Sequence, residues 1–543
     1  MSEAAGTGGR VPRRERPPLT WEEVRRRNYV ERLKHEKLPF DLYHELPRLA
    51  SMHYEDIPED DILRLQWWGL YHDKPKVGTF MMRVKIAGGM VTPRQLRAIG
   101  EISLRYGENT GEITTRQDIQ IHELRLQDVP EIFATLRAHG LTTAGACGDI
   151  LRNITSCPVA GVDREELFDV RKDVQALAEF FYHNREYSDL PRKHKWTLSA
   201  CPYHCNAPEI HDVAMVGTFH QGQPGYAVWV GGGLSTYPRL ADPLGVFVTS
   251  EELIPFLRAL LEVWSSDLNY RANRAKARFK FMVDDLGAEE VLRRIEGHLG
   301  RPLTRLEEQP RPKGRTDHMG IHPQKQEGLC YIGFPVFPGL ISGDQMVAVA
   351  DLVERYGEDV RFTQRQNLVI TGVREADVPR VVEAMARLGF PLDANPVRAR
   401  SIACTGNPFC NYAVGDTKPR LRRLVEHLEA RFGQAVAGLH IHLDGCPHAC
   451  GQHWVGDIGI QATTGRGQAG EKLQAYDILL RGGLGPQAAI GRPVARRVPS
   501  EELETYVERL VAAYLAARRD GETFQDFCAA RSDEELLAIM EGR

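Results

Sequence analysis

Cys404 and Cys410, spaced C-x5-C, and Cys446 and Cys450, spaced C-x3-C, are the residues of this chain best placed to do chemistry. Thirty-five residues separate the two pairs. Four thiolates converging from two loops can hold an iron–sulfur cluster, since each need supply only one free sulfur. The second pair lies in LDGCPHACG. A helical turn there would put Cys446 and Cys450 on one face, with Pro447 at its first position, where a missing N–H does no harm. The free N–H groups of that turn would then point at a negative cluster. Two plainer readings stand beside this one. Zinc also takes four Cys, but its pairs are commonly two to four residues apart, and C-x5-C is wide for it. Buried structural thiols would account for one or two of the positions, though not for the Gly and Pro packed around all four.

A second set is cationic. LPRKHKWTLS puts Arg192, Lys193 and Lys195 within four residues. On a strand, Lys193 and Lys195 share a face. A solvated basic edge would read the same way, yet Trp196 and Leu198 follow directly, as in a strand entering a core. Arg83 sits in FMMRVKIAGG on the face of Met81 and Lys85, Arg116 in TTRQD, and Arg152 opens LRNITSCP. Each alone reads as an ordinary edge or loop arginine. Their restriction to one stretch of chain is the informative part.

The elements that position these residues are written twice. LRYGENTGEITTRQDIQIHEL is echoed by ERYGEDVRFTQRQNLVITGV, which sets Arg116 against Arg365. LSACPYHCNAPEIHDVAMVG is echoed by LDGCPHACGQHWVGDIGIQA, which sets Cys201 and Cys205 against Cys446 and Cys450, and Asp212 against Asp457. WVGGGLS matches LRGGLGP. So long a period implies gene duplication, with two similar halves about a pseudo-twofold axis and a shared ligand at their junction. Each copy opens with strand–helix–strand–helix, which suits a ferredoxin-like α+β sandwich. Each continues with a Cys pair, Gly-rich loops and a closing helix. The first copy has only Cys157 where the second has Cys404 and Cys410, so it should hold no four-thiolate cluster. Cys157, Cys201 and Cys205 read as remnants of duplication, with a second metal as the alternative. Cys330 and Cys528 read as apolar fillers.

The expected units are an N-terminal arm and helix over 1–60, half-domains over 61–145 and 316–396, and α/β domains over 146–315 and 397–543. The 543 residues carry a net charge of −4, so nothing global points to nucleic acid or a membrane surface. The N-terminus lacks a signal-peptide apolar run, and no stretch approaches the roughly 18 apolar residues of a membrane span. Ten cysteines in such a chain suit cytoplasmic metal or redox chemistry rather than a disulfide frame. Residues 1–20, rich in Arg, Pro and Gly, are expected to lack structure. WEEVRRRNYVERLKHEK is expected to form a charged amphipathic helix.

From about residue 40 onward, the chain resembles the sirohaem-containing sulfite and nitrite reductases. CTGNPFC followed by DGCPHAC looks like that family's cluster-and-sirohaem signature, and TTRQDIQIHEL, RNITSCP and LPRKHK fall where the family has them. The resemblance implies that Cys404, Cys410, Cys446 and Cys450 bind a [4Fe–4S] cluster, with Cys450 also the axial ligand of sirohaem. It assigns Arg83, Arg152, Lys193 and Lys195 to the substrate oxyanion, and Arg116 and Arg192 to the sirohaem carboxylates, for which Arg forks are suited. Lys193-His194-Lys195 resembles the sulfite form, where nitrite reductases tend to Lys-x-Asn, so sulfite is the expected substrate and nitrite the alternative. Tyr71 and Cys147 match a pair that is covalently joined in actinobacterial-type ferredoxin-dependent members. No dinucleotide fingerprint or flavin module is visible, so electrons are expected from ferredoxin, docking near Arg420, Arg422 and Arg423, with an NADPH flavoprotein as the alternative. A monomer is expected. A cluster enzyme of corrinoid synthesis and a zinc-bound binding protein are the competing classes, and a visible spectrum separates all three.

Overall fold

The computed structural model describes residues 19–466 and 471–543; most of the arm expected to lack structure, residues 1–18, lies outside them. The fold is the expected internally duplicated α+β arrangement: two ferredoxin-like sheets and two mixed α/β sheets.

The first ferredoxin-like sheet orders its strands Leu70–His72, Thr79–Val84, Ile119–Arg125 and Glu112–Ile113. The second orders Gly320–Pro323, Leu329–Phe334, Leu368–Arg374 and Val360–Phe362, and then takes Met90–Val91 from the first copy. The loan is returned, because Leu340 of the second copy bridges Glu112 of the first. Two glutamines seal this exchange. Gln117 donates to the carbonyl of Phe362 at 2.7 Å, and Gln366 donates to that of Ile113 at 3.0 Å. Both take left-handed backbone, φ 60° and 61°, which aims each side chain across the pseudo-twofold. Helices Pro93–Tyr106 and Gly343–Tyr356 start from matching capping boxes, Thr92 with Gln95 and Ser342 with Gln345. They pack against each other at Gly100, where a Cβ would stand 2.7 Å from the carbonyl oxygen of Gly343. Any larger residue there pushes the halves apart.

The α/β sheets also match. The first orders Thr304–Arg305, Asp242–Val248, Gln223–Val230, Val213–His220, Trp196–Ser199 and Thr155–Ser156. The second orders Ile402–Ala403, Ile441–Asp444, Ile458–Arg466, Lys472–Leu480 and Arg492–Pro499. In each, three parallel strands run into an antiparallel meander, and helices such as Leu253–Ser265 and Leu503–Ala517 bury apolar faces on the sheet. Cys330 and Cys528 are buried among apolar neighbours. Among the described residues no helix is long and apolar enough to cross a membrane.

One local expectation fails. The N-terminal helix is two helices, Trp21–Arg27 and Tyr29–Glu36, broken at Asn28. The Asn28 side chain caps the second helix at Val30 and donates to the carbonyl of Arg271 at 2.7 Å. Tertiary docking overrides local propensity here. Buried Glu31 then ion-pairs with Arg271 at 2.9 Å and Lys34 with Asp189 at 2.7 Å, fixing this segment to the first α/β unit.

Candidate active site

Three of the four signature thiols stand near backbone amides. Cys404 follows the strand Ile402–Ala403, and its Sγ accepts from the Gly445 amide at 3.2 Å. The amides of Tyr412 and Ala413 lie near Cys410, that of Ala413 donating to the Cys410 carbonyl at 3.2 Å, and that of His448 lies near Cys446. Burial and the neighbouring thiols push Cys404 and Cys410 up, and Cys446 up to about 12. A bound cation displaces the protons such thiols would otherwise keep, and releases them to solvent. Among the described residues no three of these sulfurs lie within 4.8 Å of one another. That spacing is too open for one tetrahedral ion and suits a cubane.

The helical turn expected at Cys446–Cys450 is instead a non-helical turn, with Ala449 in left-handed backbone at φ 55°. The reversal leaves Cys446 buried and turns Cys450 outward into a cleft. One face of a helix could not have served both directions.

The loop between Cys404 and Cys410 is held by the sheet of the other copy. Thr405 donates to Glu112 at 2.6 Å, Lys74 donates through Nζ to Asn407 at 2.5 Å, and the Lys74 amide donates to the carbonyl of Phe409 at 2.9 Å. His122 stacks on Phe409 with ring centroids 4.1 Å apart. Burial pulls the His122 imidazole down, but Asp73, at 2.8 Å, and Glu112 outweigh it and hold the pKa up to about 9. The loop between the two thiols thus rests on a charged platform that its own half does not supply. The docking expectation needs correction at one residue: Arg420 is buried, ion-paired with Glu504 at 2.7 Å. Arg422 and Arg423 are exposed.

The cleft before Cys450 is walled by Thr115, Arg116, Lys193, Lys195, His211, Arg278 and Gln452. Residues that precede the strand Trp196–Ser199 in the first copy face residues that follow the strand Ile441–Asp444 in the second. Lys193 and Lys195 lie just outside the regular strand, flanking buried His194, which bridges to Leu151. The expected alternation therefore holds, and both ammonium groups reach the cleft. Among the described residues neither has a hydrogen-bond or ion-pair partner. Burial, with Arg192, Arg152 and Arg278 nearby, brings Lys193 down to about 7 and pulls Lys195 well below the ordinary lysine range, where Lys193 and Arg116 add to the effect. Arg116 bonds His211 at 2.9 Å and the carbonyls of Asn153 and Trp196, and its Nε is buried without a partner. Such a wall asks for anions.

Beside the cleft, Arg83 and Arg152 both donate to the carbonyl of Ala146, at 3.3 and 3.1 Å. Arg83 also holds Gln120, and Arg192 pairs with Asp149 at 2.6 Å. Tyr71 and Cys147 lie within one another's field, and burial followed by Cys147 raises the Tyr71 phenol. Sequence reading missed Arg278, His211 and Thr115. Asp212 clasps Arg278 with both carboxylate oxygens, at 2.8 and 2.9 Å, and accepts the Lys195 amide at 2.8 Å. The Thr115 hydroxyl donates to the carbonyl of Cys450 at 2.9 Å. The repeated Asp212 and Asp457 carried the one available signal, since Asp457 likewise holds an arginine, Arg315, at 3.3 Å.

These residues fit a cluster and a polycarboxylate macrocycle: amide-flanked thiols at open spacing, one thiol turned into a cleft, and cations without partners around it. The sequence model described as nitrite and sulphite reductase 4Fe-4S domain matches residues 147–303 and 395–541. That of the nitrite/sulfite reductase ferredoxin-like half domain matches 72–139 and 322–388. The chain is 37% identical to sulfite reductase [ferredoxin] 1 of Mycolicibacterium paratuberculosis, over 90% of this chain and 92% of that one. It is 33% identical to ferredoxin–nitrite reductase of Synechococcus elongatus, over 90% and 97%. The structure of Mycobacterium tuberculosis NirA protein superposes with a TM-score of 0.89 at 32% identity, covering 94% of this chain and 97% of that one. The chain belongs to the nitrite and sulfite reductase family, oxidoreductases whose cofactors are a [4Fe–4S] cluster and sirohaem.

Proposed function

We propose that the protein is a ferredoxin-dependent sulfite reductase, taking sulfite to sulfide with six electrons in the cleft before Cys450. The observation that carries this is the pair Lys193 and Lys195, two ammonium groups without partners on the wall facing that thiol. Sirohaem and the cluster, when bound, supply the electrons and the iron at which substrate is held. Cys404, Cys410, Cys446 and Cys450 would hold the cluster, Cys450 also the sirohaem, and Arg116 and Arg192 the macrocycle's carboxylates.

The chain's own work is charge and proton placement. Lys193 and Lys195, with Arg83 and Arg152 behind them, offset the oxyanion's charge and orient its oxygens. As electrons make those oxygens more basic, the lysine Nζ groups donate protons, so that each oxygen departs as water. A lysine lowered toward neutrality both gives and regains a proton readily, which an arginine does not.

Relatives bear both substrate names. The second lysine favours sulfite, because a dianion gains more than a monoanion from a second fixed charge. Lys195→Asn should shift the ratio of kcat/KM for sulfite over nitrite toward nitrite, measured on both anions under one set of conditions. An unchanged ratio removes this basis for choosing sulfite. Ferredoxin stands in the names of both relatives, and exposed Arg422 and Arg423, with the loop anchored by Lys74, offer an acidic donor a basic approach to the cluster.

We infer a thioether between Tyr71 and Cys147, supported by the field that Cys147, Arg152 and Arg83 exert on the Tyr71 phenol. Forming it takes one hydrogen from the Tyr71 ring and one from the Cys147 thiol, with dioxygen as the two-electron acceptor. The intact mass should then be two daltons below that of the sequence with all thiols free, and a Cys147→Ser chain should show no deficit. A full-mass wild-type chain would refute the link.

A further inference from the structure

The first α/β unit keeps three of the four thiol positions that hold the cluster in the second. Cys157 follows the strand Thr155–Ser156 as Cys404 follows Ile402–Ala403. Cys201 and Cys205 follow Trp196–Ser199 as Cys446 and Cys450 follow Ile441–Asp444. The fourth position is filled from elsewhere. His318 enters from the segment that joins the two halves, between strands Thr304–Arg305 and Gly320–Pro323. Its backbone is left-handed, φ 55°, a conformation that His, like Asn and Asp, adopts more readily than most residues.

The ligand atoms of Cys157, Cys201, Cys205 and His318 all lie within 4.8 Å of one another. His318 Nε2 stands 3.6 Å from Cys157 Sγ and 3.7 Å from Cys201 Sγ. A tetrahedral ion with bonds of about 2.3 Å to sulfur and 2.0–2.1 Å to nitrogen sets its S···N edges at about 3.6 Å. The two S···N distances seen match such edges. A cubane would need the sulfurs much farther apart, as in the second copy, where no three of them come this close among the described residues. Three soft sulfurs and one imidazole, with no carboxylate or carbonyl in the set, select zinc over calcium or magnesium. The thiols expected as remnants of duplication lie close together, with His318 beside them.

We propose that Cys157, Cys201, Cys205 and His318 bind one zinc ion in a closed, structural site. Binding releases the three thiol protons to solvent and leaves the site with a single negative charge. Cys157, Cys201 and His318 are buried and Cys205 is half-buried, so Cys205 marks the side of entry. The ion would clip the inter-half segment to the first α/β unit. Nearby on that segment the Lys313 amide bonds the carbonyl of Pro202 at 2.9 Å, and Arg315 reaches across to Asp457 and to the carbonyl of Leu484 at 3.0 Å. Zinc would thus help set the relative placement of the two halves.

The test is metal content and zinc-edge X-ray absorption on the full chain carrying cluster and sirohaem, after gel filtration with a chelator. The expected result is one zinc per chain with three sulfur neighbours near 2.3 Å and one nitrogen near 2.0–2.1 Å. Cys201→Ser and His318→Ala should each lose the zinc while the visible spectrum keeps its sirohaem bands, which separates this site from the redox centre. Loaded wild-type protein that holds no zinc, even after incubation with zinc sulfate, would overturn the proposal. So would zinc without a sulfur shell, or an iron atom beyond those of the cofactors in its place.

Discussion

Replacing Cys450 by alanine is expected to abolish reduction of sulfite and nitrite and to strip the chain of its red-absorbing pigment. Cys450 is the one signature thiol that is exposed and lines the cleft. Its outward course depends on the left-handed turn at Ala449 and on Thr115, which holds its carbonyl. A serine there keeps the shape but offers a poorer ligand, so Cys450→Ser should retain some iron and lose most activity. Cys446→Ala should differ in kind: the cluster is lost, yet the thiol at 450 still faces the cleft. Iron, acid-labile sulfide and the visible spectrum, measured on all three variants, distinguish these outcomes. A Cys450→Ala enzyme that turns over normally would break the account.

The second large effect concerns Lys193. Removing it as Lys193→Gln should lower kcat/KM for sulfite by about 10²–10³-fold, the usual loss when a positioned donor to a charged reacting group is deleted. Burial and three neighbouring cations bring its ammonium down to about 7 in the protein alone. The sign is therefore definite. The group is charged below that value and neutral above it, so anion binding weakens as pH rises, and a bound polycarboxylate moves the midpoint upward. Lys193→Arg stays charged throughout, so it should flatten the alkaline rise in KM while lowering kcat, because guanidinium gives up no proton. Initial rates between pH 6 and 10 test this split. A Lys193→Arg profile identical to wild type would leave the lysine without a protonic role.

Much of this was legible in the sequence because duplication doubles every signal. The echo of TTRQDIQIHEL in TQRQNLVITGV placed Arg116 and Arg365 correctly, and the paired Cys motifs pointed to the α/β units. What escaped had physical reasons. The exchange of Met90–Val91 and Leu340 between halves involves segments of one or two residues, too short to carry a period. The turn at Cys446–Cys450 reads as a helix start because Pro447 suits either, and the left-handed Ala449 has no sequence mark. Asn28 interrupts a helix for the sake of a carbonyl 243 residues away. Arg278 and His318 lie in no repeat and meet their partners only through the fold. The cations of the cleft were found by type, but the sequence did not say which were free. Arg192 also pairs with Asp149, and Arg420 with Glu504, whereas among the described residues Lys193 and Lys195 have no such partner.

Mössbauer spectroscopy of the ⁵⁷Fe-enriched enzyme, oxidised and without substrate, bears most directly on whether one sulfur joins the two centres. A shared thiolate makes the four cubane irons feel the spin of the macrocycle's iron, so every iron should show magnetic splitting at low temperature. A diamagnetic cubane beside an independent haem signal would contradict that link.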